Sequence, residues 1–243
     1  MSHQLGSELL KLRTTRTMPL LLLAAAAFTL FGAAVEGVSG TTGELAGTGA
    51  QRELFGAGIS GVIFATLAGI LVVTTEFRYG TIHPTLLTEP RRGVVLGAKL
   101  VAAALTGLGI AAACLAVAYA AGFAILAARG VDAGVSGSQT LTALLGTMAA
   151  SALGALLGVA IGTLIRNQSG SIAALAGYAL VVDAVLFAAI PSVGRYLPGK
   201  AGDGLADRPV DDLLAPGLGA AVLAAWTLAF VVAAWLRNDR SDV

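Results

Sequence analysis

The stretch TTEFRYGTIHPTLLTEPRRG (Thr74–Gly93) places Glu76, Arg78, His83, Glu89, Arg91 and Arg92 between two apolar runs, Leu54–Thr75 and Leu100–Ala128. Gly80, Pro84, Pro90 and Gly93 break it further. About 20 apolar residues cross a hydrocarbon core as a helix, and both flanking runs reach that length. A polar, broken segment in this position reads as the connection between two membrane spans.

The rest of the chain has the same character. Hydrophobic residues make up 56% and charged residues 12% of the 243, against about 25% charged in soluble domains. Mean hydropathy is +0.84. Further uncharged runs are Thr17–Val35, Ala133–Ile165 and Leu213–Leu236, and Ser171–Pro191 is interrupted only by Asp183. The expectation is an all-α polytopic membrane protein forming one transmembrane domain over 1–243. Its spans fall at about 18–38, 55–75, 101–126, 143–165, 171–191 and 214–236. The first run exceeds the roughly 7–15 apolar residues of a signal-peptide core, so it is expected to remain as a helix.

Charge and cysteine content exclude several classes. A formal net charge of +1 argues against nucleic acid as a partner, because phosphate binding requires a concentrated basic face. The lone Cys114 allows no intramolecular disulfide and no cysteine metal cluster. The GxSG-like matches at Gly37–Gly40, Gly58–Gly61 and Gly134–Gly137 lack a histidine on any span to take a serine proton. GRYLPGKA (Gly194–Ala201) misses the hydroxyl residue that completes a phosphate-binding loop, and no strand precedes it.

Lysines and arginines set the expected orientation. With a cytoplasmic N-terminus, the inner segments hold Lys11, Arg13, Arg16, Arg78, Arg91, Arg92, Lys99, Arg166, Arg237 and Arg240. The outer segments hold Arg52, Arg129, Arg195, Lys200 and Arg208. The positive-inside bias puts both termini, and the opening stretch, in the cytoplasm. No extramembrane piece of these residues approaches the 50 or so of a small domain, so any ATP-hydrolysing motor is expected on another subunit.

Local patterns add finer expectations. Leu5, Leu9 and Leu12 form one helical stripe in a leader of about 3–16, with Lys11, Arg13 and Arg16 near its end. Such a helix lies in the inner interface, its leucines among acyl chains and its cations near anionic lipid headgroups. Gly146, Ala150, Gly154, Gly158 and Gly162 recur at every fourth position, a face for close helix packing inside the chain or at a dimer seam. Asp183 is a carboxylate within a span, which marks a functional candidate on a substrate path. With no lysine or arginine in the expected hydrocarbon cores, it has no expected ionic partner; the alternative to a substrate path is a structural hydrogen bond to Tyr178, Tyr119 or a backbone carbonyl of a neighbouring helix. In the opening stretch Glu76–Tyr79 extend the second span by a turn, and Glu76 is expected to pair with Arg78 or a leader cation. Gly80 ends that helix and Thr81 caps a new one, with Pro84 in its first turn. Ile82, Leu86 and Leu87 give that short cytoplasmic helix an apolar face.

These residues carry a resemblance. The basic leader ELLKLRTTR, the segment EFRYGTIHPTLLTEPRRGVVLGAKL, the run LGALLGVAIGTLIRNQSGSIAA and the P-x-x-x-R-Y-L-P-G-x-A stretch at Pro191–Ala201 resemble permease subunits of ABC transporters. The similarity is to the type-2 exporter superfamily, especially its small actinobacterial members, and covers essentially the whole chain. It implies six spans, an interfacial N-terminal helix, a coupling helix between spans two and three, and a partly re-entrant loop before span six. It implies two permease chains, identical or paralogous, paired with two ATP-binding subunits in a bacterial cytoplasmic membrane. ATP and magnesium would sit on those partners, with no cofactor on this chain. The coupling surface would be Glu76, Phe77, Arg78, Tyr79, Gly80, Thr81, Ile82, Pro84, Leu86 and Leu87. Export of a hydrophobic or amphipathic drug, lipid or peptide is the implied activity. A secondary transporter, or a non-transporting sensor or immunity component, is the alternative. The first of these would be expected to carry several intramembrane ionisable residues, and Asp183 alone gives it little support.

Overall fold

The computed structural model describes residues 2–81, 91–134 and 137–239. Among them the elements are helical throughout: α1 (Ser2–Thr14), α2 (Thr17–Ser39), α3 (Thr42–Leu45), α4 (Thr48–Gly56), α5 (Gly61–Tyr79), α6 (Arg92–Ala128), α7 (Gly137–Ile165), α8 (Gln168–Gly177), α9 (Ala184–Ala189), α10 (Pro191–Gly194), α11 (Pro198–Leu205) and α12 (Pro216–Asp239). One 3-10 turn, Ala57–Ser60, joins α4 to α5, and one widened π-type turn, Tyr178–Asp183, joins α8 to α9. Six of the resulting helical stretches are long and apolar enough to cross a membrane. The chain is a multi-pass helical bundle.

The spans match the expected order, with two differences of substance. Span two begins at Thr48 and span three already runs as helix from Gly93. The earlier start of α6 places Lys99 inside a continuous helix, ahead of the span start expected at about 101. A single cation does not end a helix when its side chain finds a partner.

Small residues decide which helices touch. A Cβ on Gly158 would collide with the Thr66 carbonyl oxygen, and one on Gly69 with that of Ala155. The α5 and α7 backbones therefore meet through paired glycines. Gly107 of α6 meets the Ser151 carbonyl of α7 in the same way, at 2.7 Å from a built Cβ. Such close approach is how helices associate where lipid removes the hydrophobic drive between them. The window of span four is 56% buried, as is that of span two, whereas that of span five is 6% buried. The stripe on α7 is spent inside the chain: Gly146 meets Leu205, Gly154 and Gly158 meet Thr66, and Gly162 meets Ile70 and Thr74. It offers no seam for a second copy.

Long-range polar contacts fix the up-and-down order. At one end Lys11, Glu76 and Lys99 meet, and Arg78 donates to Gln168 Oε1 (3.3 Å). At the opposite end Arg129 donates to the Gly37 carbonyl (3.0 Å), and the buried Gln51 amide donates to Leu45 and Asp132 carbonyls and accepts from Gly134 N. The end holding α1 is the basic end, with Lys11, Arg16, Arg78, Lys99 and Arg166.

Before the last span, the chain folds back. Pro at the first position starts both α10 and α11, and α11 packs against α7 and α12. Close backbone contacts at Gly204 with Leu214 and at Gly219 with Ala201 hold it there. The near match to a phosphate loop, Gly194–Ala201, is thus the last residue of α10, a turn and the first residues of α11.

Candidate functional site

At the basic end α1 lies against the start of α6, and the contact is ionic. Lys11 Nζ donates to Glu8 Oε1 (2.8 Å) and Glu76 Oε1 (2.7 Å). Lys99 Nζ lies 3.1 Å from Glu8 Oε2 and 2.8 Å from Glu76 Oε1. The four side chains close a ring, Lys11–Glu8–Lys99–Glu76, with two charges of each sign. Glu8 is 3%, Glu76 5% and Lys99 3% exposed. Burying a charge alone is costly, and a network is tolerated only when its members satisfy one another. One acceptor, Glu76 Oε2, is buried without a hydrogen-bond partner.

Each member arrives from a different local cause. Glu8 and Lys11 are three residues apart, so they share one face of α1. Glu76 stands one turn before the end of α5, which stops where Gly80 adopts φ 67° and Thr81 N bonds back to the Glu76 carbonyl (3.0 Å). That left-handed position suits glycine at a helix end. Lys99 stands in the second turn of α6 and also reaches the Val72 carbonyl at 3.5 Å. The ring therefore clamps α1 to both helices that flank residues 81–91.

This geometry sorts the expected site residues. Glu76 does pair with a leader cation, Lys11; Arg78 instead reaches Gln168 and lies over the Tyr79 ring. Phe77 packs with Val73 and Leu96 and carries the Arg166 guanidinium over its ring at 5.6 Å. Tyr79, Gly80 and Thr81 are exposed. Ile82, Pro84, Leu86 and Leu87, and the short helix expected of them, lie outside the described residues. On α1, Leu5 and Leu12 are half-buried and the side chains of Leu9 and Arg13 lie outside the described residues; Arg16, just before α2, is exposed. Lys11 keeps 43% of its side chain exposed while its ammonium pairs with the buried carboxylates of Glu8 and Glu76. Glu8 and Lys99 were not singled out from the sequence. The available signal was the Glu8–Lys11 spacing and a lone lysine at the lip of an apolar run.

Burial opposes the charge on Lys11, but hydrogen bonds and Coulomb attraction from Glu76 and Glu8 outweigh it and raise its pKa above the ordinary 10.5. A raised lysine stabilises the fold in full below its unfolded value. That contribution is lost as pH rises through the folded value. Docking of α1 should hold to about pH 10.5 and weaken above it. Protease nicking of α1 against pH will show this transition, and Lys11→Met should abolish it.

A second polar cluster sits at the opposite end. Tyr178 Oη donates to Asp183 Oδ1 (2.9 Å), and Gly199 N donates to Tyr178 Oη (3.3 Å). A Cβ at Gly199 would lie 2.6 Å from Asp183 Oδ1, so only glycine lets α11 come this close. Lys200 Nζ lies 3.9 Å from Asp183 Oδ2 and 3.0 Å from Asp203 Oδ2, and Arg208 lies 3.7 Å from Asp203 Oδ1. The expectation that Asp183 lacks an ionic partner is corrected. The segment that folds back before the last span brings Lys200 to it, which uncharged-run counting does not see. Separately, Arg52 holds Asp207 (2.6 Å to Oδ2, 2.8 Å to the carbonyl). Asp183 and Tyr178 therefore fasten the half of span five farther from α1 to α11.

Neither protein-family models nor curated proteins match the chain.

Proposed function

We propose that this chain is the transmembrane half of an ATP-driven exporter of the ABC type, working as a pair of permease chains with two ATP-binding subunits in a bacterial cytoplasmic membrane. The observation that carries the reading is the buried ring of Glu8, Lys11, Glu76 and Lys99. It makes α1, α5 and α6 one unit on either side of residues 81–91. A partner pressing on that segment would move three helices together, where an unclamped loop would absorb the push. The basic end faces the cytoplasm in this reading, as the positive-inside bias requires, and ATP and magnesium bind the partner. Closure of the ATP-binding pair would bias the bundle between inward- and outward-open arrangements by its differential affinity for the two. The substrate is hydrophobic or amphipathic, in keeping with spans lined by small apolar residues.

Glu76→Gln and Gly80→Pro test the coupling. Both should insert in the membrane at wild-type levels. Each should lower substrate-stimulated ATPase activity of the reconstituted complex by tenfold or more. Normal stimulation and normal co-purification of the ATP-binding subunit in both variants would remove the coupling role.

A further inference from the structure

Two arginines, Arg52 and Arg208, line one cavity of about 40 Å³ at the end of the bundle opposite α1. Neither guanidinium has all its donors met. Arg52, on α4, spends one nitrogen on two bonds: Nη2 donates to the Asp207 carbonyl (2.8 Å) and to Asp207 Oδ2 (2.6 Å). Its Nη1 and Nε find no acceptor among the described residues. For Arg208 the facing carboxylate is Asp203, whose Oδ1 lies 3.7 Å from Nη1, beyond hydrogen-bonding reach. Lys200 holds the other oxygen of Asp203 at 3.0 Å. Arg208 Nε is buried and has no partner.

Both side chains are fixed rather than trailing in solvent. They are 30% and 28% exposed. Arg52 is held by its two bonds to Asp207. The turn that carries Arg208 is pinned by Asp207 N on the Gly204 carbonyl (3.0 Å) and Arg208 N on the Asp203 carbonyl (3.2 Å). An orphaned buried donor points to a bound water or ion. Water can meet a donor but leaves the charge. In the lining two guanidiniums face one carboxylate, Asp207, which is already on Arg52. An anion meets donor and charge together, whereas a cation would meet two arginines. Roughly 10–15 Å³ accommodates one water, so the space takes about three, the size of one carboxylate group. Phe55 and Tyr119, stacked at 4.9 Å between ring centroids, complete the lining with flat apolar faces. Arginine's planar fork matches a carboxylate in shape as well as in charge.

We propose that this cavity binds a carboxylate group, which Arg52 and Arg208 hold through the donors that the fold leaves unused. The Arg52–Asp207 pair stays intact, because the bound group takes only the free edge of Arg52. Binding ties α4 to the turn that follows α11. The site is independent of the exporter reading, since it needs this chain alone.

The test uses the full chain in nanodiscs of uncharged lipid, with sodium acetate as the probe. Sodium chloride at equal ionic strength and methylammonium chloride are the comparators. Saturable broadening of the acetate methyl NMR signal is expected, with a rise in melting temperature that follows its occupancy. Neither comparator should produce that rise. Arg208→Gln leaves Asp203 on Lys200 and should weaken acetate binding about tenfold or more, as the loss of a charged hydrogen bond does. Arg208→Lys keeps the charge without the fork and should weaken it less. Ala143→Phe fills the cavity from its α7 side and should abolish binding. Arg195→Gln removes a cation outside the lining and should bind acetate as the wild type does. Octanoate that displaces acetate would assign the site to the end of a longer acid; its failure would assign it to a small free acid. No saturable acetate binding, an equal effect of chloride, or wild-type binding in both Arg208→Gln and Ala143→Phe overturns the proposal.

Discussion

Replacing Lys99 with methionine should destabilise the protein by about 3–5 kcal/mol, the usual cost of removing one partner from a buried ion network. The ring has two charges of each sign, and Lys99 is the member that touches both carboxylates from the α6 side. Without it, Glu8 and Glu76 remain buried around Lys11 alone. Glu8 Oε2 then has no donor, and Glu76 has already one oxygen without a partner. Reversible unfolding in mixed micelles will read the loss. The double variant Glu76→Gln/Lys99→Met restores charge balance with Lys11 and Glu8, so most of the loss should return. A coupling energy below about 0.5 kcal/mol between the two sites, the level of independent positions, would show that the ring does not act as a unit.

Gly158→Val should cost about 3 kcal/mol, at the upper end of overpacking effects. The atom a new Cβ would strike is the Thr66 carbonyl oxygen, part of the α5 backbone, and cannot rotate away. The two most buried spans would have to separate along their length. Gly109→Val is the control: it lies in a helix of similar composition, yet nothing stands within 4 Å of its built Cβ. It should fall within about 0.5 kcal/mol of wild type, as surface changes do. Thermal unfolding in one detergent compares the pair. Equal losses would mean that helix propensity, and not the α5–α7 crossing, sets the effect.

The ionic ring was legible in part. Glu76 could be chosen because a carboxylate at the end of an apolar run demands a partner, and Gly80 because a glycine after such a run ends helices. Lys99 was hidden by the same logic that found the spans, since counting uncharged runs assigns every charge to a loop. Glu8 looked like one more solvated residue of a polar leader. Its burial depends on α1 folding against α6, a contact between segments about ninety positions apart. Asp183 was legible as an anomaly, but Lys200 reaches it only because α11 folds back.

Composition and the spacing of apolar runs determined the class, the number and order of spans, and the bias of cations toward one end. Those properties follow from chain length and from the bilayer's intolerance of unpaired backbone and charge. Only the tertiary structure decided that α7 uses its glycine stripe internally, that α1 docks by charges rather than by leucines alone, and that Arg52 and Arg208 line one cavity. Each depends on which helix faces which, and that is set by close backbone approach at glycines and by the pairing of buried charges. The opening stretch is therefore bounded by a clamped helix on either side, which residue order alone leaves unstated.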